Sequence, residues 1–170
     1  MNILWIRGAK LNMFQSHDIT IVEKPAFQAV GMEWKGTFAE AGAGGIRQVI
    51  QQMHERKQDI QHVSDPETLL GLSYHVTEGG FTHYSVLQVS AVHEIPEGMV
   101  SVSVPALSYA RLEHRKRQDI DKSYEHIFAW IEEQGYKKAP GDLTHCEEYP
   151  VGQDPYTGDP EFNILIPILR

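Results

Sequence analysis

Two stretches of this sequence match each other. Residues 25–33 read PAFQAVGME, and residues 105–113 read PALSYARLE. Both stretches begin with Pro-Ala and end with Glu, and several positions between these ends pair one apolar residue with another. An internal match of this kind predicts a repeated structural unit, and chance similarity between two short strands is the alternative.

The predicted elements occur in the same order around both stretches. Each half has one amphipathic helix, residues 45–57 in the first and residues 119–134 in the second, because apolar residues recur there at helical spacing. Glycines in residues 77–80 predict a hairpin turn. β-Branched and apolar runs predict strands at residues 19–24, 27–35, 68–76, 83–93, 99–104, 107–113, 143–149 and 162–169.

This order predicts an α+β fold made of two β-α-β-β units related by a pseudo-twofold axis. One unit alone would leave a sheet edge and a helix face uncovered, so the halves, about residues 19–97 and 98–170, should share a sheet. Both helices should then lie on the same side of the sheet, with a ligand cleft where the halves meet. Residues 1–18 show neither period and predict an N-terminal tail, in which Met13 is an alternative start and residues 1–12 are open as native sequence.

Composition and charge narrow the classes of function. The 170 residues include 15 basic and 23 acidic side chains, a net charge of −8, which disfavours nucleic acid and anionic lipid and attracts cations. Cys146 is the single cysteine, so an internal disulfide and a cysteine zinc cluster are excluded, and a reducing compartment is indicated. The longest apolar run, residues 162–169, is far shorter than the roughly 20 residues of a membrane helix. We therefore expect a cytoplasmic protein that binds neither membranes nor, by itself, DNA.

Several motifs are interpreted as structural. The segment Gly42-Ala43-Gly44-Gly45 lacks nucleotide-binding spacing and is expected to be a flexible helix entry. His75 and His83 flank the hairpin turn and are interpreted as surface residues, so no metal site or cofactor is expected. The basic run within residues 111–122 is interpreted as a solvated turn, with contact to an acidic protein partner as the alternative.

An ordered set of residues resembles the GyrI-like effector-binding family. The set consists of Glu23-Lys24-Pro25 with Val30-Gly31, Ile95-Pro96-Glu97-Gly98-Met99 followed by Pro105 and Tyr109-Ala110, Glu147-Glu148-Tyr149, and Ile164-Leu165-Ile166-Pro167-Ile168. This family is the ligand-binding module of multidrug-responsive transcription regulators of the AraC and MerR types, and it also occurs as stand-alone proteins. The resemblance covers about residues 19–170. It implies a cleft that binds hydrophobic, often cationic molecules.

The resemblance also implies the site residues. A glutamate two residues before a tyrosine on the penultimate strand corresponds to Glu147 with Tyr149. Because side chains alternate along a strand, Glu148 should face away, although a slip of one residue would reverse this. The further candidates for ligand contact are aromatic, each with core packing as the alternative: Tyr109, Tyr74, Trp34 and Phe162.

Three hypotheses for function follow. The first is a stand-alone sensor or sequestering protein that binds a small hydrophobic cation without a cofactor. The second is a hydrolase on the same scaffold, in which Glu147 activates water and Tyr109 or Tyr149 donates a proton. The third, an inhibitor of a DNA-acting enzyme, rests on the family resemblance alone.

Overall fold

The computed structural model describes residues 18–170, so the predicted tail lies outside the described residues except for Asp18. These residues form one antiparallel sheet and two main helices, α1 (Ile46–Arg56) and α2 (Ile120–Glu133). The strands are β1 (Ile19–Lys24), β2 (Phe27–Gly36), β3 (Thr68–Thr77), β4 (Gly80–Val89), β5 (Val100–Val104), β6 (Leu107–His114), β7 (Lys137–Lys138), β8 (Leu143–Pro150) and β9 (Phe162–Leu169). The α+β class predicted from the sequence is thereby confirmed.

The helix α2 begins and ends at residues suited to those positions. Asp119 caps α2 through its carboxylate, which accepts a hydrogen bond from the Lys122 backbone N–H. Gly135 follows this helix with a positive φ of 76°. The glycine-rich entry to α1 (Ala41–Gly45) is a kink, because Gly44 has a non-helical φ of 114°, and one helical turn (Phe38–Glu40) precedes it.

The hairpin between β3 and β4 is tighter than the sequence predicted. Thr77 pairs directly with Gly80, which has a φ of 130°, so β4 starts at Gly80 rather than at His83. The same strand ends at Val89 instead of His93, because the Ser90 backbone N–H donates a hydrogen bond to the carbonyl oxygen of His62. The two-residue strand β7, which pairs with β9, carries no pattern that predicts it.

The strand order is β1-β6-β9-β8-β3-β4-β2-β5. It reads the same from either edge when β1 is exchanged with β5, β2 with β6, β3 with β8, and β4 with β9. The strands β2 and β6 start at Phe27 and Leu107, within the two matching stretches of sequence. This order fits the expected repeat, and an origin by duplication stays a prediction.

Two short connections curl the sheet. Pro25-Ala26 joins edge strand β1 to β2, which lies beside the opposite edge, and Pro105-Ala106 joins edge strand β5 to β6 in the same way. Two residues span only about 10 Å, so the edges must approach each other. The enclosed side, called the inner face below, buries an apolar cluster: Ala29, Leu70, Leu72, Val86, Val104, Tyr109, Leu143, Cys146 and Leu165.

Both helices lie on the opposite side of the sheet, called the helix face below. Met53 of α1 packs with Leu69 of β3, and Ile127 of α2 packs with Ile164 of β9. Paired residues share a face, and Ile164, Glu147 and Gly71 lie in one row across β9, β8 and β3. Gly71 and Leu69 are two residues apart on one strand, so both helices are on the same face, as predicted.

A groove runs between the two helices over β3 and β8, since α1 contacts β2 and β4 while α2 contacts β6.

Met53 tests the packing of α1. Its side chain is fully buried, and its methyl group lies 3.0 Å from the place where Gly31 would carry a Cβ. We expect Met53→Ala to lower the free energy of unfolding by about 2–5 kcal/mol, because a buried cavity replaces the thioether. The exposed Glu55→Ala on the same helix should change it by no more than about 0.5 kcal/mol, in urea denaturation followed by circular dichroism. Equal effects of the two variants would contradict this packing.

Candidate functional site

The register of the central strands places Glu147 on the helix face. It pairs with Gly71 on one side and with Ile164 on the other, and it is 9% exposed. Glu148 points to the inner face, where it forms an ion pair with Lys24 and accepts a hydrogen bond from the Asn163 side-chain amide at 3.2 Å. The two adjacent glutamates therefore lie in opposite environments, and the alternative register considered from the sequence does not occur.

Glu147 lies between two tyrosines. Burial raises the pKa of its carboxyl group from the ordinary value of 4.5 to about 7, and contacts with the hydroxyls of Tyr124 and Tyr149 oppose part of this rise. The Tyr124 hydroxyl is buried but reaches good hydrogen-bonding geometry with no group among residues 18–170. Its contact with Glu147 lowers the pKa of the carboxyl group and raises the pKa of the Tyr124 hydroxyl, for which burial is the larger cause.

The groove contains a cavity on each side of Glu147. One, of about 350 Å³, lies between the start of α1 and the loop that follows β8, and Tyr149 lines it. The other, of about 370 Å³, lies between α2 and strands β8 and β9, and Tyr124 and His145 line it. Phe128, which is 49% exposed, forms part of the second wall. Tyr149 lines one cavity and His145 the other, and Glu147 lies between these two residues on the same face of β8, although it lines neither cavity itself. Both cavities are of ligand-binding size.

The structure brings only some of the predicted aromatic residues to this site. Tyr149 stacks on Phe162, with ring centroids 4.8 Å apart. Trp34 is on the helix face but lies three strands from β8 in the sheet order, about 14 Å away. Tyr74 and Tyr109 are not brought to Glu147, because strand alternation turns their side chains to the inner face. Tyr109 is 1% exposed there, which removes it as a proton donor to a reaction at Glu147.

Tyr124, His145 and His83 are groove residues that the sequence analysis missed. Tyr124 lies on the apolar side of α2 and meets His145 edge to face, with ring centroids 5.3 Å apart. His145 precedes Glu147 by two residues, so the strand period alone could have placed it on this face. His83 was interpreted as a surface residue, but it is 2% exposed, since its strand continues past the hairpin into the middle of the sheet.

The two histidines are neutral near pH 7. Burial, with a smaller contribution from His145, lowers the pKa of His83 to about 3. Burial likewise lowers the pKa of His145 to about 4, with Lys138 as the second cause. The Nδ1 atom of His83 lies 3.1 Å from the Ser73 hydroxyl. Neither ring therefore offers a positive charge to Glu147.

The described residues meet neither the requirements of a metal site nor those of a membrane-spanning helix. No group of three or more His, Cys, Asp or Glu side chains in residues 18–170 is arranged to hold a metal ion. Over the same residues, each helix is too short or too polar to cross a membrane. The groove instead offers one buried carboxyl group, aromatic walls and neutral hydrogen-bonding groups.

The raised pKa of Glu147 makes stability depend on pH. A group whose pKa is higher in the folded protein stabilises the fold below its ordinary pKa, and this stabilisation is lost as the pH rises through the folded value. The contribution of Glu147 to the free energy of unfolding should therefore fall between about pH 4.5 and pH 7, the ordinary and folded values, whereas the lowered pKa values of His83 and His145 act in the opposite direction. Glu147→Gln should remove this contribution and be more stable than the wild type near pH 8, as measured by urea denaturation. An unchanged pH dependence in the variant would contradict the assignment.

Comparison with known proteins identifies the family. The model of the GyrI-like small molecule binding domain matches residues 17–169. The transcriptional regulator BrlR of Pseudomonas aeruginosa is 31% identical over 151 residues, which are 87% of this chain and 54% of BrlR, so the chain spans about half the length of this relative. The structure of SAV2435 bound to tetraphenylphosphonium has a TM-score of 0.68 at 13% identity and covers 89% of this chain and 93% of its own. A hydrolase from Listeria innocua has a TM-score of 0.55 at 12% identity, over 97% of this chain and 98% of its own. The chain therefore belongs to the GyrI-like family of small-molecule-binding domains.

Proposed function

We propose that this domain binds lipophilic organic cations in the groove between α1 and α2, with Glu147 as the counter-charge. The observation that carries the proposal is a buried carboxyl group between two cavities. Among the described residues, no cationic side chain contributes to its pKa, which burial raises to about 7. A carboxylate in this position is stabilised by a ligand that brings its own positive charge.

The walls of the groove suit such a ligand. Tyr149 lines the first cavity and stacks on the buried ring of Phe162, and Tyr124 lines the second cavity on the α2 side of Glu147. A cation over an aromatic ring gains about 0.5–2 kcal/mol, whereas micromolar affinity requires about 8 kcal/mol. Ring contacts therefore supplement apolar burial and the charge of Glu147 rather than replace them.

The relatives support the same class of ligand. SAV2435 shares the fold and was solved with tetraphenylphosphonium, a lipophilic cation. BrlR is a transcriptional regulator of which this chain matches about half. We therefore extend the proposal to a sensing role, in which occupation of the groove is transmitted to a protein partner or to a further domain.

Substituting each of the two adjacent glutamates tests the charge. Glu147→Gln should weaken tetraphenylphosphonium binding about 5- to 100-fold, because the amide keeps the shape but removes about 1–3 kcal/mol of attraction. Glu148→Gln is the matched control, since its side chain lies on the inner face with Lys24, and it should leave affinity unchanged. Isothermal titration calorimetry at low salt measures both. Equal affinities of the wild type and Glu147→Gln would remove the carboxylate from the mechanism.

The pH dependence of binding tests the same carboxylate. The charge of tetraphenylphosphonium does not change with pH, so its affinity should fall up to about tenfold per pH unit below the Glu147 pKa of about 7. Of the side chains around Glu147, His83 and His145 have pKa values of about 3 and 4, and Tyr124 and Tyr149 have values raised well above 10, so these four do not titrate between pH 5 and pH 9. His54, which lines the first cavity, has a pKa lowered from 6.5 by burial and by Lys57, and its contribution would persist in the Glu147→Gln variant. Glu147→Gln should bind with an affinity that is otherwise independent of pH. A pH dependence that survives in this variant would assign it to another group.

Hydrolysis is the second candidate function. A carboxyl group with a pKa near 7 is suited to act as a general base, and Tyr149 lies beside it as a hydroxyl donor. Mass spectrometry of the cation after long incubation distinguishes the two functions. We expect the cation to be recovered intact. A hydrolysed product formed by the wild type but not by Glu147→Gln would replace binding by catalysis.

A further inference from the structure

Glu147 lies close to both cavities of the groove but is open to neither. Tyr149 lines the first cavity and Tyr124 lines the second, whereas Glu147 lines neither of them and is only 9% exposed. The hydroxyl groups of both tyrosines contact its carboxyl group. A cation in either cavity is therefore separated from Glu147 by a tyrosine, and one of these two side chains has to move before the charge meets its counter-charge.

Tyr149 is held in place by a stack of buried rings. Its ring stacks on Phe162 with centroids 4.8 Å apart, and the ring of Phe162 meets that of His114 at the same distance of 4.8 Å. Phe162 and His114 are 3% and 1% exposed, and Nδ1 of His114 lies 2.7 Å from the hydroxyl oxygen of Ser123 in α2. Moving Tyr149 would break stacking contacts that run from β8 through β9 and β6 to α2, so its ring is a fixed wall.

Tyr124 lacks comparable restraints. Within residues 18–170 its hydroxyl group forms no hydrogen bond, and the residue as a whole is only partly buried. Its ring meets His145 edge to face at 5.3 Å and lies 6.2 Å from the ring of Phe128, which is 49% exposed. Rotation of Tyr124 therefore breaks no hydrogen bond, and the second cavity, of about 370 Å³, leaves space beside its ring.

The second cavity suits the apolar part of a lipophilic cation. Apolar and aromatic residues form most of its wall, namely Val76, Phe128, Ile131, Ile166, Pro167 and Ile168. Lys138 also lines it but is exposed, so water screens its charge. The first cavity is more polar, because Arg47, His54 and Asp154 line it. Burial of apolar ligand surface therefore favours the second cavity.

We propose that Tyr124 is a gate between the second cavity and Glu147, and that a ligand cation places its apolar part in this cavity and displaces the Tyr124 ring to bring its charge onto the carboxylate. This inference rests on the proposed function and adds to it the cavity that is occupied and the side chain that controls access. In the free protein the gate opens transiently. A bound cation contacts Glu147 only when the gate is open, so binding shifts the population toward the open arrangement.

The association kinetics of rhodamine 6G, a fluorescent lipophilic cation, test the gate. In stopped-flow fluorescence, Tyr124→Ala should raise the association rate constant at least about 10-fold, because a minor open arrangement is populated to about 10% or less. Tyr124→Phe keeps the ring and should leave this rate constant unchanged. Phe128→Ala is the matched control, since it shortens another aromatic wall of the same cavity one turn further along α2, and it should act on the dissociation rate instead.

Chemical labelling of Glu147 tests the gate without a ligand. A carbodiimide with glycine ethyl ester modifies accessible carboxyl groups, and mass spectrometry after proteolysis quantifies each of them, with the exposed Glu55 as internal standard. Tyr124→Ala should raise the labelling of Glu147 several-fold, whereas Phe128→Ala should not. Tyr124→Leu keeps an apolar side chain on this side of α2 and provides both tests if Tyr124→Ala fails to fold.

The two measurements separate this inference from the proposed function. If the association rate or the labelling is unchanged in the Tyr124 variants, or if Phe128→Ala raises both equally, the gate is overturned while cation binding stands. If the wild type binds neither rhodamine 6G nor tetraphenylphosphonium, the proposed function is overturned, whereas labelling raised only in the Tyr124 variants still shows that Tyr124 closes the carboxyl group. Faster association together with selective labelling supports the gate.

Discussion

The pairing of β3 with β8 is the constraint on which the site depends. It joins the two halves of the sheet, and its register sets Gly71 opposite Glu147. A shift of one residue would turn Glu147 to the inner face and bring Glu148 into the groove. It would also separate Glu148 from Lys24 and Asn163. The ion pair on the inner face and the His83 ring, which packs over Gly71 on the helix face, therefore favour the same register.

The curl of the sheet explains why the groove lies on the helix face. The connections at Pro25-Ala26 and Pro105-Ala106 bring the sheet edges together, and the inner face fills with its own side chains. Tyr109 shows how complete this filling is, since its hydroxyl group has a pKa raised well above 10 by burial. On the other face, α1 contacts β2 and β4 and α2 contacts β6, while His145 and Tyr149 of β8 remain partly exposed. The groove between the helices therefore lies on the face that the curl of the sheet does not enclose.

Much of this arrangement could be predicted from the sequence, because it follows from local periodicity. The bounds of β1 and β9 match the predicted strands, and the spacing of two residues correctly groups Glu147 with Tyr149 and separates both from Glu148. What could not be predicted depends on which strands become neighbours. Alternation gives Tyr74 and Tyr109 a face relative to their own strands, but only the strand order shows that this face is opposite to that of Glu147. His83 was misplaced for the same reason, since β2, which flanks its strand opposite the hairpin partner β3, lies far away in sequence.

The buried polar groups near β3 and β8 all lower the stability of the fold through the free energy of desolvation. Glu147 is buried with a raised pKa, and His83 and Ser85 keep unpaired atoms beside it. Leucine or valine at these positions would satisfy the packing of a sheet covered by two helices and would avoid the cost of desolvation. Departures from good packing that cluster at one place, while the apolar clusters under α1 and α2 remain well packed, are typical of a binding site. The free energy lost at Glu147 is available to a ligand, because a complementary cation stabilises on binding the carboxylate that the fold leaves uncompensated.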